Sequence, residues 1–174
     1  QGNELRAEVA KGGRYGLGEG QAWLAEGEHH GPTLDLLVYA RQQDRGFGLG
    51  QQNLVEAGTR KFGADGSWRM ADRLSLVGTL WHENQLDGPG SRTAGDARIE
   101  YRRDTGTLFA GGQFARDRGI DGRRRDSQLL TLGGTKSLFG EKLTLTGQTQ
   151  MALGGKDDSA DFPVRHQLTA AWRV

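Results

Sequence analysis

The stretch Lys142-Leu143-Thr144-Leu145-Thr146-Gly147-Gln148-Thr149-Gln150-Met151-Ala152-Leu153 decides the fold. Leu143, Leu145, Gly147, Thr149, Met151 and Leu153 fall on one parity, and Thr144, Thr146, Gln148, Gln150 and Ala152 on the other. Successive side chains of a β-strand point to opposite faces, so the segment predicts a strand with one apolar and one polar side.

The same alternation recurs outward from it. Val164 to Val174 places Leu168, Ala170, Trp172 and Val174 against Arg165, Gln167, Thr169, Ala171 and Arg173. Upstream, the tight turn Phe139-Gly140-Glu141-Lys142 joins a strand predicted over Gln128 to Leu138, and Asp104-Thr105-Gly106 joins strands over Ala94 to Arg103 and Thr107 to Ala115. In the first of these, Ala97, Ile99 and Tyr101 oppose Arg98, Glu100 and Arg102. Two more strands flank a turn at Ala71-Asp72, the second with Leu74, Leu76, Gly78 and Leu80 on one side. Leu34, Leu36, Val38 and Ala40 alternate with Asp35, Leu37, Tyr39 and Arg41, and weaker strands cover Glu4 to Lys11 and Gln21 to Gly27. Within Asn53 to Met70 the glycines Gly58, Gly63 and Gly66 predict a β-bulge or a change of parity.

The connections carry the second signal. Short turns are expected near residues 30, 71, 105 and 140. Longer loops are expected near residue 15, near 47, over Glu83 to Thr93, over Arg116 to Ser127 and over Gly154 to Phe162. About ten strands of membrane-crossing length, joined alternately by short and long connections, predict an all-β fold: an antiparallel transmembrane β-barrel with short periplasmic turns and longer extracellular loops. A soluble sandwich would have tight turns at both ends.

Composition agrees with one such domain. The chain has 174 residues, 29 Gly, 3 Pro and no Cys, which suits many turns without a disulfide framework. No stretch approaches the roughly 18 consecutive apolar residues of a spanning helix. Mean hydropathy is −0.67, a value that hides a barrel because only alternate residues meet lipid. With 23 Lys plus Arg against 22 Asp plus Glu, global charge gives no argument for nucleic acid. No leader precedes Gln1, so a signal peptide has been removed or the chain begins inside a larger protein.

Three segments resemble a known family: Asp126-Ser127-Gln128-Leu129-Leu130, Phe139-Gly140-Glu141-Lys142-Leu143-Thr144-Leu145, and Ala152-Leu153-Gly154-Gly155 leading to Asp161-Phe162-Pro163. With Gly46-Phe47-Gly48-Leu49-Gly50-Gln51-Gln52, they span about two thirds of the chain and resemble the C-terminal outer-membrane barrel region of very large Gram-negative surface proteins with repeated extracellular domains. The resemblance implies the outer membrane of a Gram-negative bacterium and the barrel-assembly machinery as a partner. It carries over no catalytic residue. Barrels of that family are longer, so it also implies further strands after Val174 and a chain that is a fragment or a re-engineered version. The terminal Val174 replaces the aromatic residue usual at such a barrel's end, with Trp172 close by.

On this reading Glu4, Arg6, Glu8, Arg41, Arg98, Glu100, Arg102, Gln148, Gln150, Arg165 and Gln167 line the lumen. Leu36, Val38, Leu74, Leu76, Leu80, Ile99, Tyr101, Leu143, Leu145, Met151, Leu168 and Trp172 face lipid. Trp68, Tyr101, Phe139 and Trp172 at one end, and Phe114 and Phe162 at the other, suit headgroup girdles. Trp81 stands on the polar parity and either packs in the lumen or marks a shifted register. Mixed signs in the lumen favour mutual neutralisation over a selective filter. The cargo, if the bore is open, is ions or small solutes.

Arg123, Arg124 and Arg125, with Arg116 and Arg118, make one loop basic. Guanidinium groups bind phosphate bidentately, which points to lipopolysaccharide besides membrane lipid; partial neutralisation by Asp117, Asp121 and Asp126 is the plainer account. No stacking platform accompanies the run, so nucleic acid is not expected. Asp157, Asp158 and Asp161 match no calcium loop, and His29-His30 would face opposite sides of a strand, so neither cofactor nor metal is expected. An Asp/His hydrolase of the omptin type would use His82 near Glu83 and Asp87, or His166 near Asp161. The loops are short for a substrate cleft, no motif of that family is visible, and no enzyme activity is expected. A soluble, surface-attached β-rich binding module is the alternative from another class.

Overall fold

The computed structural model describes residues 2–14, 16, 18–48, 57–153 and 164–173. Ten strands run in chain order: β1 (Gly2–Arg14), β2 (Gly18–His30), β3 (Leu34–Gln43), β4 (Thr59–Ala71), β5 (Leu74–Gln85), β6 (Ser91–Arg103), β7 (Gly106–Arg118), β8 (Arg124–Leu138), β9 (Leu143–Ala152) and β10 (Arg165–Trp172). They form one antiparallel sheet in which each strand pairs with its neighbours in sequence, so the order is β1 through β10 with no crossover. No helix occurs among the described residues.

Several boundaries differ from the sequence expectation. The loop expected over Arg116 to Ser127 shrinks to residues 119–123, because β7 continues to Arg118 and β8 begins at Arg124. The loop over Glu83 to Thr93 likewise shrinks to 86–90. Backbone pairing, not apolar content, sets where a ladder ends, so polar strand ends resemble loop in the sequence. The long connection expected near residue 15 occupies only 15–17, where Gly16 and Gly18 supply left-handed backbone angles of 82° and 81°. β4 is continuous from Thr59 to Ala71. The loop around Gly154 to Phe162, with Asp157, Asp158 and Asp161, lies outside the described residues.

Contacts divide the chain into two units, the first comprising Gln1–Gly66, Thr79–Ala94 and Arg116–Arg125, the second Ser67–Gly78, Gly95–Ala115 and Asp126–Val174. Among the described residues neither has an ordinary apolar core. The buried hydrophobic residues among those described are Phe47, Ala115 and Leu129, whereas Leu5 is 88% and Leu168 80% exposed.

In the first unit, the segment after β3 folds back onto β2. Asp44 accepts the Gln21 amide at 3.0 Å, and a Cβ on Gly20 would lie 2.3 Å from the Phe47 nitrogen. Only glycine permits that approach. In the second unit, the β8–β9 turn holds Phe139, Gly140 and Glu141 at φ of 53°, 63° and 70°, and Phe139 meets Trp172 with ring centroids 6.3 Å apart.

Candidate functional site

Strand registers sort the side chains into two faces. In the first unit Leu5, Ala7 and Val9 pair with Gly27, Ala25 and Trp23, which in turn pair with Val38, Ala40 and Gln42. Leu36, opposite His29, joins the same row. The reverse face carries Glu4, Arg6 and Glu8 opposite Glu28, Glu26 and Leu24, and then Leu37, Tyr39 and Arg41. Arg60 on β4 donates to Gln42 at 2.8 Å. That contact puts the even residues of β4, including Phe62 and Ala64, on the apolar side, and Lys61 and Gly63 on the other. The Tyr39 ring fills the space above Gly63.

In the second unit Leu130, Gly134 and Leu138 pair with Met151, Gly147 and Leu143, and Leu168, Ala170 and Trp172 continue the row through Gly147, Leu145 and Leu143. The reverse face carries Thr131, Gly133, Thr135 and Ser137 opposite Gln150, Gln148, Thr146 and Thr144, followed by Arg165, Gln167, Thr169 and Ala171. Along β6, Ile99 and Tyr101 alternate with Arg98, Glu100 and Arg102. Along β5, Leu74, Leu76 and Leu80 share the parity of His82 and oppose that of Trp81.

Large apolar side chains stand exposed along one face, which a sheet folded in water would bury. Leu36, Val38, Leu80, Ile99, Tyr101, Met151, Leu168 and Trp172 are all exposed, while Leu74, Leu76, Leu143 and Leu145 are intermediate. Among the described residues no large side chain is fully buried. A row of exposed Leu, Val and Trp on one face costs free energy in water in proportion to its area.

The polar face is laced with close charge pairs. Arg6 donates to Glu8 at 2.9 Å and lies 3.8 Å from Glu26. Arg98 and Arg102 flank Glu100, both donating to its carboxylate, and that side chain is 12% exposed. Arg92 pairs with Asp117 at 3.5 Å. Trp81 sits between cations, with Lys61 at 4.2 Å and Arg92 at 5.8 Å from its ring centroid. Its place on the polar parity is therefore a packing site with no shift of register. The Lys61–Trp81–Arg92 group was not legible beforehand, because cation–π partners come from three different strands.

The other candidates fall as follows. Arg123 lies in the 119–123 turn, 3.3 Å from Asp121, while Arg124 and Arg125 open β8 as exposed strand residues. The basic run is thus not a free loop. His82 hydrogen-bonds to Thr93 at 2.7 Å and Asn84 at 3.0 Å, and His166 to Thr149 at 3.1 Å. Neither of these bonds brings a carboxylate to the imidazole. His29 meets Asn3 at 2.7 Å, and His30 meets Glu28 and Asp35, on opposite faces of β2.

No family model and no curated sequence matches the chain.

Trp68, Phe114, Phe139 and Trp172 are exposed aromatic residues on or beside the apolar face, while Phe162 lies outside the described residues.

Proposed function

We propose that the chain is an outer-membrane β-barrel of a Gram-negative bacterium, acting as a membrane anchor or narrow pore and catalysing no reaction. The observation that carries this is the run of exposed apolar rows on one face of the sheet, with charged residues paired with one another on the reverse face. Hydrocarbon is the solvent in which such a surface has low free energy, provided every backbone group is satisfied. β1 and β10 are the two free edges of the sheet; strands one and ten of a meander run in opposite directions, so the barrel of this proposal requires those edges to pair antiparallel.

Eight strands leave an interior that side chains just fill, and ten leave little more. The Arg6–Glu8–Glu26 and Arg98–Glu100–Arg102 groups occupy that space. The partners are membrane lipid, lipopolysaccharide near the Arg123 turn, the barrel-assembly machinery during insertion, and ions or small solutes in the bore. The resemblance to surface-protein barrel regions points to the same anchoring role.

Reconstitution in a planar lipid bilayer tests the reading. A folded, heat-modifiable species with uniform conductance steps is expected of a pore, and insertion without conductance of a plugged anchor. A chain that stays monodisperse in buffer without detergent would instead be a soluble binding module, and the membrane reading would be abandoned.

A further inference from the structure

Within the second unit, the apolar face is interrupted by a groove of about 450 Å³. Gly134 and Gly147, paired across β8 and β9, form its floor, and Leu108 and Leu145 form its walls. A Cβ on Gly147 would meet nothing nearer than Leu168 at 3.8 Å, so the space above it is open. The volume lies within the usual range of small-ligand sites.

One end of the groove is cationic. Lys136 shares the face of Leu145 and reaches the Thr105 hydroxyl at 2.6 Å, and Arg103 lies over the Tyr101 ring at 5.8 Å. Both line the groove. Arg73 pairs with Asp104 at 3.3 Å. Among the described residues neither Arg103 nor Lys136 is ion-paired with a carboxylate. Two cations on an otherwise apolar face, at the end where β6 turns into β7, complement an anion that is joined to an apolar tail.

We propose that this groove binds one anionic glycerophospholipid, its acyl chain lying over Gly147 beside Leu108 and Leu145 and its phosphate held by Arg103 and Lys136. The inference rests on the membrane reading above and adds a defined lipid site to it. Guanidinium and ammonium groups both hold phosphate, the former bidentately. Gly147 supplies the depth that a larger side chain would fill, while Leu108 packs over Gly134 and forms the wall beside it.

The test uses the purified chain reconstituted in dioleoylphosphatidylcholine vesicles containing a small share of dioleoylphosphatidylglycerol, extracted in mild detergent and weighed by native mass spectrometry. One phosphatidylglycerol should be retained roughly tenfold above its share, as two juxtaposed cations favour an anionic headgroup. Arg103→Gln with Lys136→Gln should remove that preference, and Gly147→Leu should lower retention of both lipids. Retention in proportion to abundance, or a preference surviving the double substitution, would overturn the proposal. Displacement by inorganic phosphate would also overturn it, since the cations would then be reading phosphate without the lipid. Heat-modified migration of the same samples reports insertion. A chain that never inserts overturns the membrane reading and this site together, whereas insertion without lipid preference overturns the site alone.

Discussion

Lys61 lays its ammonium over the indole of Trp81, 4.2 Å from the ring centroid, and Arg92 approaches the same ring at 5.8 Å. A cation held against an aromatic face contributes about 0.5–1 kcal/mol where water still reaches it and more where it does not. The pair should therefore be coupled. In a double-mutant cycle of Lys61→Met and Trp81→Leu, followed by urea unfolding in lipid vesicles, a coupling energy of about 0.5–1 kcal/mol is expected. A value near zero would mean that Lys61 is solvated and the ring packs on its own.

Leu132 and Thr131 are neighbours on β8 that point to opposite faces, Leu132 opposite Thr149 and Thr131 opposite Gln150. Leu132 is 42% exposed, so in a soluble protein arginine there would be tolerated. In a bilayer an outward arginine costs about 2–4 kcal/mol near the midplane, while a lumen arginine remains hydrated. Leu132→Arg should lower the unfolding free energy in vesicles by about that amount, and Thr131→Arg by much less. Equal effects would remove the distinction between the faces.

These two residues also show what was legible in sequence. Parity is local, so the apolar and polar rows of β6, β9 and β10 can be read from Ile99, Leu143 or Leu168 without knowing any partner strand. Strand ends are less legible, because Arg116, Arg118, Arg124 and Arg125 are extended by hydrogen bonding to neighbours and carry no apolar signal. β4 reads as irregular in the sequence because Gly63 and Gly66 replace side chains, yet it runs as one strand from Thr59 to Ala71. The groove over Gly147 is not legible in the sequence, since it needs the β8–β9 register and the lysine beside it together.

Glu100 is held between Arg98 and Arg102 on one face of β6. Its side chain is 12% exposed, but those of the two arginines are 50% and 70% exposed, so solvent screening limits the loss on Glu100→Gln to about 1 kcal/mol. The larger expected effect is on charge. Two guanidinium groups left without their carboxylate should shift the reversal potential of any conducting form toward anion selectivity. An unchanged reversal potential in a salt gradient would place Glu100 away from the ion path.

The Gly20 backbone is touched by Gly46 and Phe47, and a Cβ there would lie 2.3 Å from the Phe47 nitrogen and 2.7 Å from the Gly46 carbonyl carbon. Both are backbone atoms that cannot rotate aside. Gly20→Ala should therefore expel the segment and expose Phe47, which is 3% exposed in the native chain, at a cost of about 1–3 kcal/mol. Trypsin cleavage after Arg45 is the direct readout and should accelerate in the variant. Equal cleavage rates would mean that the segment is already detached from β2 in solution.

The β8–β9 turn places three consecutive residues in the left-handed region, with Phe139 at φ 53°, Gly140 at 63° and Glu141 at 70°. For a residue with a Cβ that conformation costs about 1–2 kcal/mol. Phe139 recovers part of the cost through its ring contact with Trp172. Glu141 is exposed. Glu141→Gly should therefore stabilise the hairpin by up to about 1 kcal/mol, the relief of strain outweighing the extra entropy of glycine in the unfolded chain. Glu141→Val should destabilise it, because a β-branched side chain tolerates the left-handed region least. Urea midpoints of the three proteins in identical vesicles check the order Gly above Glu above Val. A Val variant as stable as the parent would show that the turn relaxes out of the left-handed region at no cost.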